Sequence, residues 1–219
     1  MIKLAIFDMD GLMLDTEPIA LRGWKIAEKE LDFAIPDELF TELIGLNREL
    51  CKATLFENIG PFDFDGALKI IFKYVDDYLE ENGAAIKPGL IYILDKLEKA
   101  GIKKCVATST ATTRAIGKLT QAGIVQRFDA IIGGDQVPYS KPAPDIFLKA
   151  AEACKTAPEH CVVFEDSNAG AMGGISAKMN VIIIPDLAKP TEFTQKHAFA
   201  ICEDLFHAWE VVSSLAHSL

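Results

Sequence analysis

The chain has 219 residues, half of them hydrophobic, which is enough for one substantial core and a smaller inserted domain. Its 32 acidic side chains outnumber the 22 basic ones, a balance that disfavours nucleic acid as a partner and leaves no polybasic patch for a membrane surface. The composition therefore favours a small molecule as the partner. The five cysteines are scattered, without the spacing of a zinc site or a disulfide framework, and we expect them to be reduced.

The N-terminal segment MIKLAIFDMD carries an acidic residue at position 8, too early for a signal peptide. No apolar run in the sequence approaches the ~20 residues that a membrane span needs. We therefore expect a cytoplasmic protein without membrane contact. A monomer is the default expectation, because no apolar stripe stands out from the patterns of core packing.

The first predicted element is a buried strand at Ile2–Phe7. After it, from about residue 16 to residue 86, the apolar spacing is helical and no strand pattern occurs. Helical spacing is found in Ile19–Leu31, Pro36–Ile44, Glu49–Ile59 and Phe64–Leu79. Proline and glycine breaks divide this stretch into three or four helices.

Strands and helices alternate after Pro88. The predicted strands are Ile102–Ala107, Ala130–Ile132, Cys161–Phe164 and Val181–Ile184. The predicted helices are Leu90–Ala100, Ala111–Ala122 and Asp145–Ala153. This alternation indicates an α/β sheet. We therefore predict an α/β core formed by residues 1–15 and 87–219, with an all-helical domain over residues 16–86 inserted after the first strand.

Two carboxylates, Asp8 and Asp10, follow the first strand in the segment Phe7-Asp8-Met9-Asp10-Gly11. They lie at the carboxyl edge of the predicted sheet, where open α/β sheets bind ligands. Two neighbouring carboxylates repel each other unless a cation or a shared proton compensates, so the pair favours a hard divalent cation such as Mg²⁺. A solvated Asp-Gly turn explains the same five residues, because the pattern is short.

The eleven residues from Phe7 to Glu17 resemble the first motif of haloacid dehalogenase superfamily phosphatases and mutases. The resemblance implies that Asp8 is the nucleophile and forms an aspartyl-phosphate, while Asp10 protonates the leaving group and then deprotonates water. Two successive phosphoryl transfers need such a nucleophile and a separate proton shuttle. Thr16, within the motif, is assigned to phosphate or substrate binding. Dehalogenases and phosphonatases of the family lack an acid at the position of Asp10.

Two further segments resemble the family's phosphate-binding motifs. Thr108 and Ser109 follow the second core strand and would bind the phosphoryl group through the Thr108 hydroxyl and the Ser109 amide. The segment Ser140-Lys141-Pro142 resembles the third motif, with Ser140 where Gly is usual, and makes Lys141 the counter-charge of Asp8 and the phosphate. Taken alone, Thr108 and Ser109 favour a helix cap and Lys141 favours a solvated surface charge. The prolines beside Lys141 and the agreement through Phe147 favour the motif instead.

The pair Glu165-Asp166 follows another apolar strand and resembles the fourth motif. The resemblance implies that Asp166 binds Mg²⁺ directly, together with the Asp8 carboxylate and the Asp10 backbone carbonyl. Glu165 is also assigned to the metal site, acting through water or by hydrogen bonding. As isolated acids, both would be read as residues of a helix N-terminus.

The four motifs occur in the family's order, and the helical insertion has the position of the family's cap. The resemblance therefore implies a Rossmann-like parallel sheet of strand order 3-2-1-4-5, in which the strands that end at Asp8, Thr108 and Asp166 are neighbours. It also implies a cap that closes over the site, excludes water and contacts the substrate.

Within the superfamily, the chain is most similar to the group of β-phosphoglucomutase and helical-cap phosphatases of sugar phosphates or nucleotides. Arg48 resembles the mutase arginine that binds a second phosphate, although an exposed cation at a helix start explains it equally well. A mutase His and a mutase Lys fall on Ala20 and Ile44, which makes water the expected acceptor. We therefore predict a Mg²⁺-dependent phosphatase of a small phosphate monoester, with a β-phosphoglucomutase-type mutase as the alternative.

A phospho-receiver signalling domain is the alternative outside the enzymes, because it also combines an α/β sheet with paired acids, a hydroxyl and a lysine. The chain's length, the inserted helices and Asp10 argue against it. The core motifs recognise phosphate and metal rather than the rest of the molecule, so they leave the identity of the phosphorylated substrate open.

Overall fold

A parallel sheet forms the centre of the protein in the computed structural model, which describes residues 1–217 and side chains as far as residue 214. Within these residues the sheet has six strands, in the order β3-β2-β1-β4-β5-β6. The strands are β1 (Leu4–Phe7), β2 (Lys103–Thr108), β3 (Ala130–Gly133), β4 (Cys161–Glu165), β5 (Asn180–Ile183) and β6 (Ala200–Ile201). Every neighbouring pair is parallel. The α/β fold class and the order of the first five strands are confirmed.

The sixth strand is an addition to the predicted order 3-2-1-4-5. It contains two residues, Ala200 and Ile201, which pair with Ile182 and Ile183 at the edge of the sheet. A two-residue segment has no periodicity to read, and Ile201 is exposed, so neither length nor burial marks it in the sequence. The sheet is therefore one strand wider than predicted.

Helices cover both faces of the sheet. They are α5 (Leu90–Lys99), α6 (Thr112–Gln121), α7 (Asp145–Ala153), α8 (Asn168–Ser176), α9 (Glu192–His197) and α10 (Leu205–His217). Strand β1 shows why both faces are apolar: Ala5 and Phe7 belong to one hydrophobic cluster with α5, α6 and α10, whereas Leu4 and Ile6 belong to another with α7 and α8. Successive side chains point to opposite faces of a strand, so a strand covered on both sides is continuously hydrophobic.

Four helices lie between β1 and α5, as predicted for the insertion. They are α1 (Glu17–Leu31), α2 (Asp37–Leu43), α3 (Arg48–Ile59) and α4 (Phe64–Asn82). A third hydrophobic cluster, around Trp24, Phe40 and Phe64, is formed by these helices and the loops that connect them. No described helix combines the length and the apolar character that a membrane crossing requires.

The two chain segments that connect the helical insertion to the sheet are joined to each other. Leu14 and Ile86 form an isolated antiparallel bridge. The Asp15 N–H donates to the Ala85 carbonyl at 2.9 Å, and the Lys87 N–H donates to the Met13 carbonyl at 2.9 Å. These bonds fix where the insertion leaves the core, while the boundaries at residues 15/16 and 86/87 stay a prediction.

Candidate active site

The loop after β1 brings Asp8 to the carboxyl edge of the sheet. The Asp8 N–H donates to the Phe164 carbonyl at 3.0 Å, so the loop continues the pairing of β1 with β4 for one residue. Gly11 then turns the chain with a φ of +85°, and a Cβ at this position would lie 2.3 Å from Asp166 Oδ2. Glycine is therefore required both for the turn and for the close approach to Asp166.

Lys141 lies beneath this loop and is only 2% exposed. Its ammonium donates to Asp8 Oδ1, to Glu165 Oε1 at 2.6 Å and to the Ala107 carbonyl at 3.0 Å. These acceptors come from the ends of β1, β4 and β2. Burial alone would lower the pKa of Lys141, but Asp8 and Glu165 together raise it above the ordinary lysine value. Lys141 is thus a fixed positive charge at the junction of three strands.

Glu165 is fully buried, and both of its carboxylate oxygens accept hydrogen bonds from protein groups. Oε1 accepts from Lys141, and Oε2 accepts from the Ser167 hydroxyl at 2.9 Å and the Ser167 N–H at 3.2 Å. Ser167 also caps helix α8 by accepting from the Gly170 N–H. Glu165 therefore links Lys141 to the start of α8.

Three carboxylates crowd together at this edge. Oxygens of Asp8, Glu165 and Asp166 lie within 4.8 Å of one another, and Lys141 is the cation that contacts two of them. Burial raises the pKa of Asp8 to about 8, and Glu165 adds to this while Lys141 opposes it. Burial also raises the pKa of Asp166, with contributions from Asp8 and Glu165. Three acidic groups facing one lysine fit a hard divalent cation with oxygen ligands.

Asp10 is not a member of this cluster, and its carboxylate accepts from three donors. Its Oδ1 accepts from the Thr16 hydroxyl at 2.6 Å and from the Lys118 ammonium at 2.5 Å, and its Oδ2 accepts from the Thr110 hydroxyl at 2.7 Å. Burial alone would raise the pKa of Asp10, but the charge of Lys118 and these hydrogen bonds lower it. Asp10 and Asp8 therefore have opposite electrostatic settings two residues apart: burial favours the protonated form of Asp8, whereas Lys118 favours the ionised form of Asp10.

Thr108 and Ser109 extend the same edge from the end of β2. The Thr108 hydroxyl accepts from the Thr110 N–H at 3.1 Å, and the Ser109 hydroxyl lies 3.5 Å from the Gly45 carbonyl in the helical insertion. Gly45 has a φ of +75°, and a Cβ there would lie 2.5 Å from the Ser167 hydroxyl. The loop between α2 and α3 thus rests directly on the core edge.

A cavity of about 420 Å³ lies between the helical insertion and this edge. Seven of the nine predicted site residues line it: Asp8, Asp10, Thr16, Arg48, Thr108, Ser109 and Asp166. The other two, Lys141 and Glu165, are buried beneath its floor. Arg48 reaches the cavity from α3, but its guanidinium pairs with Asp65 at 2.5 Å and its side chain is 56% exposed. Ala20 and Ile44 also line the cavity.

The comparisons with known proteins agree with this geometry. Residues 2–178 match the family model for haloacid dehalogenase-like hydrolases. The chain belongs to this family. The resemblance predicted from the four motifs is confirmed, and membership of a hydrolase family displaces the receiver-domain alternative.

Three relatives illustrate the match. The Phosphorylated carbohydrates phosphatase of Thermotoga maritima is 30% identical over 183 residues, which cover 80% of this chain and 81% of that protein. Protein SUPPRESSOR OF QUENCHING 1, chloroplastic, of Arabidopsis thaliana is 29% identical over 187 residues, which cover 84% of this chain but only 18% of that protein. The crystal structure of β-phosphoglucomutase from Clostridium difficile has a TM-score of 0.82 and 24% identity, with 98% of this chain and 96% of that one covered. This last likeness shows the shared fold.

The structure brings to the candidate site three residues to which the motif comparison gave no role. Lys118 and Thr110 contact Asp10, and Glu17 lines the cavity, where burial raises its pKa to about 7 with a contribution from Asp10. A signal for Lys118 is present in the sequence, because it lies next to the buried positions Ala115 and Leu119 of α6 rather than on the outer face. A lysine beside an apolar stripe indicates a partner inside the protein.

The helical insertion is also tied to the core by an ion pair between α4 and α6. Arg114 of α6 donates two hydrogen bonds to Asp76 of α4, at 2.7 and 2.8 Å. The Arg114 guanidinium also lies 4.5 Å from the centre of the Phe72 ring. A bidentate pair of this kind fixes orientation as well as distance. The insertion therefore covers the site, as a cap of this family would.

Proposed function

We propose that this protein is a Mg²⁺-dependent phosphatase that hydrolyses a small phosphate monoester, of the sugar phosphate or nucleotide type, through an aspartyl-phosphate on Asp8. One observation carries the proposal: Asp8 and Asp10 both line a covered cavity, where buried Lys141 contacts Asp8 and Lys118 contacts Asp10. The likeness to a phosphatase of phosphorylated carbohydrates supports this reaction class.

The chemistry divides between the two aspartates. An Asp8 oxygen attacks phosphorus, the bond from phosphorus to the ester oxygen breaks, and Asp10 supplies the proton that the departing alcohol needs. Water then attacks the phosphorus of the aspartyl-phosphate, Asp10 accepts its proton, and the bond to Asp8 breaks to release phosphate. Lys141 stays in place through both steps and offsets the negative charge of Asp8 and the phosphoryl group.

Mg²⁺ fits the acidic cluster at the floor of the cavity. Asp8, Asp166 and the backbone carbonyl of Asp10 would hold the ion, while Glu165 acts through the hydrogen bonds that it already makes to Lys141 and Ser167. Bound there, Mg²⁺ supplies positive charge to the phosphoryl oxygens during transfer.

Magnesium is expected to raise the thermal unfolding temperature of the wild-type protein, because an ion that binds only the folded chain stabilises it. At one hundred times its dissociation constant, the gain is about 2.7 kcal/mol. Asp166→Asn should lose most of this increase, whereas Asp77→Asn should keep it, since Asp77 pairs with Lys73 on the exposed side of α4. Differential scanning calorimetry with and without MgCl₂ measures all three proteins. An equal increase in Asp166→Asn would place the ion elsewhere.

Lys118→Met is expected to lower kcat by roughly ten- to a hundredfold with little change in KM, since a charge-assisted hydrogen bond to Asp10 is lost. Lys118 acts through Asp10 and is a positioning residue. Lys118→Arg should restore part of kcat, and Lys73→Met is the surface control. Steady-state kinetics on an alkyl phosphate provides the test. A change in KM alone would assign Lys118 to substrate binding instead.

A phosphosugar mutase is the second candidate, because Arg48 lines the cavity and the β-phosphoglucomutase fold matches along nearly the whole chain. Two features favour water over a sugar phosphate as the acceptor. Ala20 and Ile44, which match polar mutase positions, make that part of the wall apolar, and Arg48 is paired with Asp65.

Phosphate release from a panel of sugar and nucleotide monophosphates tests the proposed function. The panel includes β-glucose 1-phosphate with a trace of the 1,6-bisphosphate, and each reaction runs with Mg²⁺ and with a chelator. Release that requires Mg²⁺ supports the phosphatase. Formation of glucose 6-phosphate without release would establish the mutase, and the absence of both products would contradict the proposal.

A further inference from the structure

The cap side of the cavity is largely hydrocarbon. Side chains from α1, α2 and α4 form most of it, and the most prominent are Leu21, Trp24, Phe40, Leu68, Ile71 and Phe72. Trp24, Phe40 and Ile71 are buried in the cap's own cluster, while Leu21 and Leu68 are partly exposed towards the cavity that they line. The wall is therefore mainly apolar.

Several of the polar groups that this wall contains are already engaged. Arg48 is paired with Asp65, and Asn47 Oδ1 accepts from the Leu50 N–H as the cap of α3. The Thr16 hydroxyl donates to Asp10. Away from Glu17, whose carboxylate lies near Asp10, a ligand that contacts the cap thus meets mainly carbon atoms. Hydroxyl groups placed there would lose water without gaining equivalent hydrogen bonds, which is unfavourable.

The polar floor and the apolar wall belong to one cavity, so a single ligand can contact both. A phosphate at the floor, beside Asp8, Thr108 and Ser109, would leave the rest of the molecule to extend to the wall. The volume of about 420 Å³ falls within the range of small-molecule sites. A flat aromatic group matches such a wall, since burial of its faces is favourable whatever its substituents.

We infer that the alcohol half of the substrate carries an aromatic group that packs against the cap wall, so that the preferred monoester is a nucleoside 5′-monophosphate rather than a sugar or polyol phosphate. This inference rests on the proposed phosphatase function and selects one of its two substrate types. A base supplies the aromatic face, while the ribose lies between the wall and the polar floor.

Uridine 5′-monophosphate and ribose 5-phosphate provide a matched pair, because both carry the phosphate on the same primary oxygen of ribose and only one carries a base. We expect kcat/KM to be at least roughly tenfold higher for uridine 5′-monophosphate, mainly through a lower KM. The kcat/KM for benzyl phosphate should likewise exceed that for glucitol 6-phosphate. Equal values within both pairs, or a preference for the sugar and polyol esters, would overturn the inference while leaving the phosphatase in place.

The control for the reaction itself is p-nitrophenyl phosphate, because its good leaving group makes hydrolysis less dependent on contacts with the cap. If neither this ester nor any other releases phosphate, the proposed function fails and the inference falls with it. If Asp8→Asn releases phosphate as fast as the wild type, the same conclusion follows. Hydrolysis of p-nitrophenyl phosphate with no preference between the matched esters overturns the inference alone.

Two leucine variants locate the effect on the wall. Leu68→Asn adds a polar group to the lining and should raise KM for uridine 5′-monophosphate roughly tenfold, with KM for ribose 5-phosphate little changed. Leu50→Asn is the matched control, because Leu50 lies on α3 outside this cavity and is 38% exposed. Leu21→Asn on α1 replaces Leu68→Asn if the latter does not fold. An equal rise in KM for both substrates contradicts an aromatic contact at the wall.

Discussion

Replacing Asp8 by asparagine is expected to lower the rate of phosphate release by roughly four orders of magnitude or more. Asparagine has nearly the same shape, but its amide is not a nucleophile and cannot form the aspartyl-phosphate. The amide oxygen still accepts from Lys141, which also keeps its contacts with Glu165 and the Ala107 carbonyl. The floor should therefore stay folded, and the loss should appear in kcat rather than in substrate affinity.

The measurement compares wild type, Asp8→Asn and the surface control Asp77→Asn with the best substrate of the panel and Mg²⁺. Acid quenching during turnover should trap a phosphoryl group on wild type and on the control, and peptide mass spectrometry should place it on Asp8. No phosphoryl group should appear on Asp8→Asn. Phosphoryl transfer to another residue in this variant would mean that Asp8 is not the nucleophile.

The sequence was sufficient for the part of the fold that depends on strong patterns. Strands such as Cys161–Glu165 are buried on both faces and therefore read as continuous apolar runs. The cap helices show the 3.6-residue period because each buries one side, as Ile71, Val75 and Leu79 do in α4. These patterns are local consequences of burial and need no knowledge of the partner surface.

Helix α8 shows what the sequence did not reveal. Its residues, NAGAMGGIS, include three glycines and have no apolar stripe, so propensity and periodicity both argue against a helix. The structure explains the glycines, since a Cβ at Gly174 would lie 2.7 Å from Val181 and one at Gly170 would lie 1.9 Å from the Glu165 carboxylate. Close packing on β4 and β5 outweighs propensity, and close packing is a tertiary property.

The candidate site also has a part that the sequence predicts and a part that depends on tertiary packing. Asp8, Thr108 and Asp166 meet because they follow neighbouring parallel strands, and their convergence follows from the fold class alone. The contact between Lys118 and Asp10 joins residues 108 positions apart through the placement of α6. The pairing of Arg48 with Asp65 depends on how α3 and α4 pack within the cap. Motifs show which residues lie at the sheet edge, but not which side chains restrain them.

Lys141→Met is expected to remove activity and to lower the free energy of unfolding by about 3–5 kcal/mol, the usual cost of removing one partner from a buried ion pair. Methionine fills the volume of the lysine stem but leaves Asp8 and Glu165 buried without their shared cation. Urea denaturation measures the stability. Lys104→Met is the matched control, because Lys104 is also buried, at 7% exposure, but pairs with the half-exposed Glu98. Lys104→Met should lower the free energy of unfolding by about 1 kcal/mol or less.

A second substitution separates the electrostatic cause from a packing defect. Glu165→Gln in the Lys141→Met background removes one buried negative charge and keeps the size of the side chain. If the cost of Lys141→Met comes from uncompensated carboxylates, the double variant should regain part of the lost stability while remaining inactive, because Asp8 and the phosphoryl group still lack their counter-charge. If the double variant is less stable than Lys141→Met alone, the hydrogen bonds from Ser167 to Glu165 contribute more than charge balance does.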